Sequence, residues 1–149
     1  MIPSSTPTLL ITAGPTHEPI DAVRFIGNRS SGRMGMALAT TAAARGWNTT
    51  LLLGPVQSPP ADTSPFKIER FRTCDDLRVL LATHVPRADV LIMAAAVADY
   101  RPKIDPAMVN AKFRRVNQPL HIELEPTPDL LAGVAAARRP DQYMVGFAL

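Results

Sequence analysis

The chain has little with which to build disulfides, metal cages or stacking platforms. Among 149 residues Cys74 is the one cysteine, so neither an intrachain disulfide nor a thiolate cluster can form, which suits a reducing compartment. His17, His84 and His121 are the three histidines; they are scattered without ligand spacing, so no protein metal cage is expected. Aromatic residues amount to 5%, and only Phe113 interleaves with the chain's most basic stretch, which gives no support to a nucleic-acid stacking surface. The formal net charge of +3 fits a small anionic ligand and is too mild to argue for nucleic acid. The longest apolar run, Val90 to Ala98, is about half a membrane span. Met1-Ile-Pro-Ser-Ser has no basic region of the kind that opens a signal peptide. The expectation is a cytoplasmic domain with no membrane and no nucleic-acid partner.

What the chain does have is apolar material and punctuation. At 46% hydrophobic and 19% charged it can bury a full core as one domain over 1–149. Thr8–Ala13, Asn48–Leu53 and Val90–Ala96 read as strands, and Lys67–Arg72 as a marginal one. The unbroken apolarity of Val90–Ala96 predicts cover on both faces. Leu120–Leu124 alternates as a fifth strand and Tyr143–Leu149 reads as a sixth. Between them lie three helical patterns. One runs from Ser31 to Arg45, capped by Ser30 or Ser31 and closed by Gly46. A second is capped by Thr73 or Asp75, with Leu77, Leu80, Leu81 and His84 on one face, and ends at Pro86. The third spans Pro128 to Arg138, with Pro128 at its start and Leu130, Leu131, Val134 and Ala135 inward.

Such alternation predicts an α/β fold: a Rossmann-like, open, mainly parallel sheet with helices on both faces. Its C-terminal end reads as incomplete, because an apolar strand ends the chain with no covering helix. Ligands in this architecture sit beyond the carboxyl ends of the strands. The loops 14–30, 54–66 and 96–118 should therefore converge.

The first of these loops is the most informative. Gly14-Pro-Thr-His-Glu-Pro-Ile-Asp21 and Val23 to Gly35 are far longer than the usual connection of about 2–6 residues. They end on Ser30-Ser31-Gly32 at a helix start, where free N–H groups and the dipole favour an anion. Ordinary capping is the competing reading, outweighed by Arg24, Asn28 and Arg29 just upstream. Ala94-Ala-Ala-Val-Ala-Asp-Tyr100 sets small residues at a buried strand's exit. Asp99 there could accept hydrogen bonds from a ligand or orient a metal. From Arg101 to Arg115, Arg101, Lys103, Lys112, Arg114 and Arg115 face a single acid, Asp105; that suits a polyphosphate, against the alternative of a solvated basic loop. Gly32 and Gly35 do not make the dinucleotide fingerprint, and Leu53-Gly54-Pro55 offers no ribose-binding acid. Tyr100 and Lys103 are too close for the usual reductase pair. Neither Ser30 nor Ser31 has an evident base, so nucleophilic catalysis is unsupported.

Taken together, Gly14-Pro-Thr-x-Glu-Pro-Ile-Asp21, Val23-Arg24-x-Ile-x-Asn28-x-Ser-Ser-Gly32-x-Met-Gly35, Ala94-Ala-Ala-Val-Ala-Asp-Tyr100 and Val145-Gly-Phe-Ala148 resemble phosphopantothenoylcysteine synthetase. This is the phosphopantothenate–cysteine ligase of coenzyme A biosynthesis, often fused behind a flavin decarboxylase. The resemblance implies that the carboxylate of 4′-phosphopantothenate attacks the α-phosphate of CTP with Mg²⁺ present. Cysteine then displaces CMP from the acyl-cytidylate.

By motif position, Asn28 resembles the residue that contacts the acyl group, and Arg24 one that reaches the substrate across a homodimer interface. Ser30, Ser31 and Gly32 would hold phosphate, with Ala96 at the substrate. Gly14, Ala95, Asp99 and Phe147 would lie around the nucleotide. Lys112 matches the first lysine of a triphosphate-covering Lys-x-Lys-Lys loop, making Asn28 and Lys112 the candidate catalytic pair. Arg114 and Arg115 replace the second and third lysines, and arginine forks phosphate oxygens differently. Family members continue beyond Gly-Phe-Ala, so the alternatives are a non-catalytic binding remnant or half of a split enzyme, served by a separate C-terminal portion or a decarboxylase partner. No flavin is expected in this chain.

Overall fold

In the computed structural model, which describes residues 6–61, 64–105 and 109–147, the strand–helix alternation becomes a five-stranded parallel sheet. Its strands are β1 (Thr8–Pro15), β4 (Asn48–Leu53), β5 (Lys67–Arg70), β6 (Val90–Ala96) and β9 (Tyr143–Gly146), in the order β5-β4-β1-β6-β9. The chain steps outward from β1 through β4 to β5, then returns to place β6 on the other side of β1. The strand order therefore reverses between β1 and β6, where open α/β sheets bind their ligands. Their register pairs Ala13 with Ala94, Gly14 with Ala95 and Pro15 with Ala96.

Helix α1 (Arg33–Ala44) covers one face, and α2 (Cys74–His84) with α3 (Leu130–Ala136) covers the other. Alternate β1 residues supply the two cores: Leu10 joins Leu52, Leu77, Leu81 and Leu91, while Leu9, Ile11 and Ala13 join Leu51, Leu53 and Ala39. Cover on both faces explains the unbroken apolarity of β6. The helix α2 start is a capping box: Thr73 Oγ1 accepts from Asp76 N–H at 3.1 Å, and Asp76 accepts in return from Thr73 N–H at 2.9 Å. That decides for Thr73 over Asp75. Gly46 takes the left-handed conformation after α1, at φ 80.

Several boundaries differ from the sequence reading. Helix α1 has Gly32 as its N-cap, left-handed at φ 71, with no side-chain cap; neither Ser30 nor Ser31 fills that place. Leu120–Leu124 adds no strand to the main sheet. Instead β8 (Leu124–Pro126) pairs antiparallel with β7 (Tyr100–Pro102), itself inside the stretch read as loop. Alternation alone cannot tell a sheet strand from an outlying ribbon. Asp129 caps α3 by accepting from Ala132 N–H at 2.8 Å, so Pro128 precedes the cap. In α3 Leu130 is buried, whereas Leu131 and Ala135 are exposed. Strand β9 is described to Gly146; Ala148 and Leu149 lie outside the described residues.

A second ribbon, β2 (His17–Pro19) with β3 (Phe25–Gly27), folds back over the end of β1. His17, one of the scattered histidines, stacks on Phe25 with ring centroids 3.7 Å apart, and burial with the Arg72 charge lowers its pKa. His84 pairs with Glu69 at 3.0 Å rather than serving only as a helix-face residue. Buried polar groups of β1 and of the start of the ribbon bind the elements around them. Thr12 Oγ1 accepts from Ala95 N–H, Thr16 Oγ1 from Ala98 N–H, and the Glu18 carboxylate from Cys74 N–H at 2.8 Å.

Candidate functional site

At the reversal point the carboxyl ends of β1 and β6 open a crevice of about 1160 Å³. Three groups of residues build it. Asn28 to Gly35 supply one wall and the start of α1. Met93 to Val97 and Asp99 supply the floor. Thr127 to Leu131, with Gly146 and Phe147, supply the far side.

The close approach of α1 to the sheet depends on glycine. A Cβ at Gly35 would collide with the Cβ of Ala13, so only glycine lets the first turn press on β1. Gly32 needs both its positive φ and its missing side chain, since a Cβ there would lie 3.0 Å from Val56 Cγ1 and 3.2 Å from Gly14 N. These contacts aim the unpaired N–H groups of the first turn, and the positive end of the dipole, into the crevice. The turn carries no acid to offset that field and begins with Arg33.

Asn28 ties two walls together. Its Nδ2 donates to the Ala96 carbonyl at 2.7 Å, while its Oδ1 accepts from Ser30 N–H at 3.1 Å. Ser30 Oγ in turn accepts from Gly32 N–H at 3.4 Å. Thr127 pins the loop after β6: its hydroxyl donates to the Ala98 carbonyl at 2.6 Å, and its N–H to that of Asp99 at 2.9 Å.

Of the residues singled out from the sequence, Asn28, Ser30, Ser31, Gly32, Ala95, Ala96, Asp99 and Phe147 all line the crevice. Gly14 lies behind the wall, against Gly32 and Val56. Arg24, Lys112, Arg114 and Arg115 do not line it. The Arg24 guanidinium is held by Asp21, and Lys112, Arg114 and Arg115 are exposed.

The basic stretch is less uniformly available than its composition suggested. Arg101 is bound by Glu125 at 2.7 Å and Asp75 at 2.8 Å, and Lys103 by Glu123 at 3.1 Å. Those two cations brace the β7–β8 ribbon. Arg33, Thr127 and Asp129 line the crevice without having been singled out. Arg33 could have been read from its place at the helix start; Thr127-Pro-Asp129 had no signal beyond a possible helix cap.

The lining carboxylates are those of Asp99 and Asp129, and Asp129 already caps α3. Among the described residues no three potential ligands cluster for a metal. The described residues thus offer Mg²⁺ at most these two lining carboxylates, and this ion is commonly held by one or two carboxylates together with substrate phosphates.

A parallel sheet whose order reverses beside such a crevice, with a helix N-terminus on its wall, defines a Rossmann-like ligand-binding domain. The chain belongs to the DNA/pantothenate metabolism flavoprotein C-terminal domain family, which it matches over residues 5–149. It is 45% identical over 146 residues to the coenzyme A biosynthesis bifunctional protein CoaBC of Mycobacterium tuberculosis (strain ATCC 25618 / H37Rv), covering 94% of this chain and 34% of that protein. It thus spans about a third of the length of that curated relative. The crystal structure of the C-terminal domain of a CoaBC superposes with a TM-score of 0.78 at 37% identity, covering 95% of this chain and 64% of that one. A Cab2 H337A mutant in complex with phosphopantothenate-cysteine shares the fold, with a TM-score of 0.68 at 18% identity, covering 84% of this chain and 58% of that one.

Proposed function

We propose that this domain carries the phosphopantothenate–cysteine ligase reaction of coenzyme A biosynthesis, with CTP as the activating nucleotide. The observation that carries the reading is the meeting of Asn28, the α1 N-terminus and the Ala94–Ala96 strand end in one crevice. Family membership and the CoaBC likeness support the substrate class.

In this reading the floor of alanines lets the ligand approach the backbone of β6. Ser30, Ser31 and the free amides of α1 hold phosphate oxygens, and Arg33 adds charge to that end. Asn28 orients the carboxylate: its amide is already fixed at both ends, so little freedom is lost on binding. The carboxylate oxygen attacks the α-phosphorus, and the bond to pyrophosphate breaks. The amine of cysteine then attacks the acyl carbon, CMP leaves, and the amine proton passes to solvent. Lys112, with Arg114 and Arg115, offsets the charge that develops on the leaving pyrophosphate. Asp99 and Phe147 contact the nucleoside. Mg²⁺ would arrive on the nucleotide phosphates, the usual way this ion enters a triphosphate site.

A homodimer belongs to the same proposal. The β2–β3 ribbon exposes Val23 and Phe25 beside Arg24, an apolar edge that a second copy would cover while receiving Arg24.

The direct test supplies CTP, Mg²⁺, 4′-phosphopantothenate and cysteine and follows CMP and pyrophosphate. Pyrophosphate release that needs the carboxylate but not cysteine is the expected signature of acyl activation. CTP binding without pyrophosphate release would reduce the domain to a binding module.

A further inference from the structure

The sequence sets Asp21 and Arg24 three residues apart, and their backbone turn closes on the aspartate itself. Asp21 Oδ1 accepts from Val23 N–H at 2.9 Å and Arg24 N–H at 2.7 Å, while Oδ2 accepts from the Arg24 guanidinium. A further donor to Oδ2 comes from far along the chain: Phe113 N–H, at 3.2 Å. The same carboxylate thus holds the β2–β3 ribbon and the basic segment.

Two more contacts reinforce that junction. Ala22 N–H donates to the Ala111 carbonyl at 3.1 Å, and the Arg24 guanidinium reaches the Phe113 carbonyl at 3.4 Å while lying 6.0 Å from the centre of the Phe113 ring. Lys112 is bracketed by two residues that are both fastened to the ribbon. Its own side chain is exposed. The Asp21 side chain, by contrast, has no solvent-accessible surface.

A carboxylate excluded from water persists only where donors replace its hydration. Here the donors come from both segments, so neither can leave without stranding the charge. The guanidinium and the backbone N–H groups hold the Asp21 pKa well below the ordinary carboxylate range, against burial, which acts the other way.

We propose that Asp21 is a positioning residue that fastens the segment carrying Lys112 to the ribbon carrying Arg24, so that one carboxylate sets the two cations relative to each other. This rests on the ligase reading for what Lys112 does, but not for the fastening itself. The role acts through Lys112 and Arg24; Asp21 touches no substrate.

The test is a double-mutant cycle read by CTP calorimetry, with amide hydrogen exchange as an independent readout. Asp21→Asn keeps an acceptor for the turn amides but removes the charge. It is expected to weaken CTP binding at least tenfold and to speed exchange at Ala22 and Phe113 with the far-ultraviolet circular dichroism unchanged. Lys112→Ala should then cost little more in the Asp21→Asn background. Full additivity of the two substitutions, or unaltered exchange at Phe113, overturns the proposal. If Asp21→Asn does not fold, Phe113→Pro removes the amide arriving from the basic segment, with Phe113→Leu as the control for the ring and amide exchange at Ala22 as the readout away from the proline; CTP affinity and Ala22 exchange equal in the two variants overturn the proposal. If the parent chain binds no CTP, the ligase reading fails, while the exchange of Phe113 still decides the fastening.

Discussion

Asn28 and Ala96, 68 positions apart in the chain, meet through a 2.7 Å hydrogen bond from the Asn28 amide to the Ala96 carbonyl. That bond joins the loop leading into α1 to the exit of β6 and so fixes the width of the crevice between them. Asn28 itself is exposed. Losing its bonds should therefore cost the fold only about 0.5–1.5 kcal/mol, while the site loses its bridge. Asn28→Ala is expected to lower the rate of carboxylate-dependent pyrophosphate release by more than tenfold and leave CTP affinity within about threefold. Kinetics and calorimetry on one preparation separate the two effects.

Lys112→Ala should show the opposite pattern. The side chain is exposed, so the melting temperature should hold, and the loss should fall on CTP affinity and on its salt dependence. A variant with parental CTP affinity and rate would remove Lys112 from the site.

The glycine contacts predict a packing failure. Gly35→Ala puts a methyl group onto Ala13, and α1 must retreat from β1. Overpacking of this kind costs typically about 1–3 kcal/mol, read as a lower midpoint in urea, and the displaced helix start should also weaken phosphate binding. Leu77→Ala, fully buried under the other face, should cost about 2–5 kcal/mol through its cavity with CTP affinity of the folded protein retained.

Much of this was legible in the sequence, for stated reasons. Strands β4 and β6 keep the bounds read from the sequence because Gly54-Pro55 ends one and the other is an apolar run covered on both faces. The start of α2 was legible as a cap at Thr73 or Asp75, and only the returning Asp76 carboxylate decides for Thr73. The convergence of Asn28, Ser30 to Gly32 and Asp99 was expected from the architecture because they follow strands one and four of the reading, with Ala95 and Ala96 at the end of strand four. Long-range pairing was not legible. Nothing local says that Leu124–Pro126 would leave the sheet for Tyr100–Pro102, or that Glu123 and Glu125 would claim Lys103 and Arg101. Nor did composition distinguish those two bound cations from exposed Lys112, Arg114 and Arg115. Gly32 as N-cap was hidden because serine is the usual choice, and only the fold brings out the left-handed backbone and the contact with Gly14 and Val56 that select against a side chain.

Cys74 offers a pH test. Its thiol is buried; that burial, with the carboxylates of Glu18 and Asp75, pushes its pKa up to about 11 from 9.0. At pH 8 a disulfide reagent should label it slowly in the native chain and at once in guanidinium. A raised thiol pKa means that the unfolded chain ionises first as pH climbs. This contribution to stability is therefore complete below pH 9.0 and declines between there and about 11. Cys74→Ala should flatten that decline in a series of urea melts.

The central claim is that the reversal point between β1 and β6 is where nucleotide binds, and amide chemical shifts during a CTP titration test it most directly. The account predicts the largest changes at Gly32, Arg33, Ala95 and Ala96, followed by Lys112 and Phe147. Changes confined to the opposite end of the sheet, around Leu9, His84 and Arg87, or no change at millimolar CTP, would contradict it.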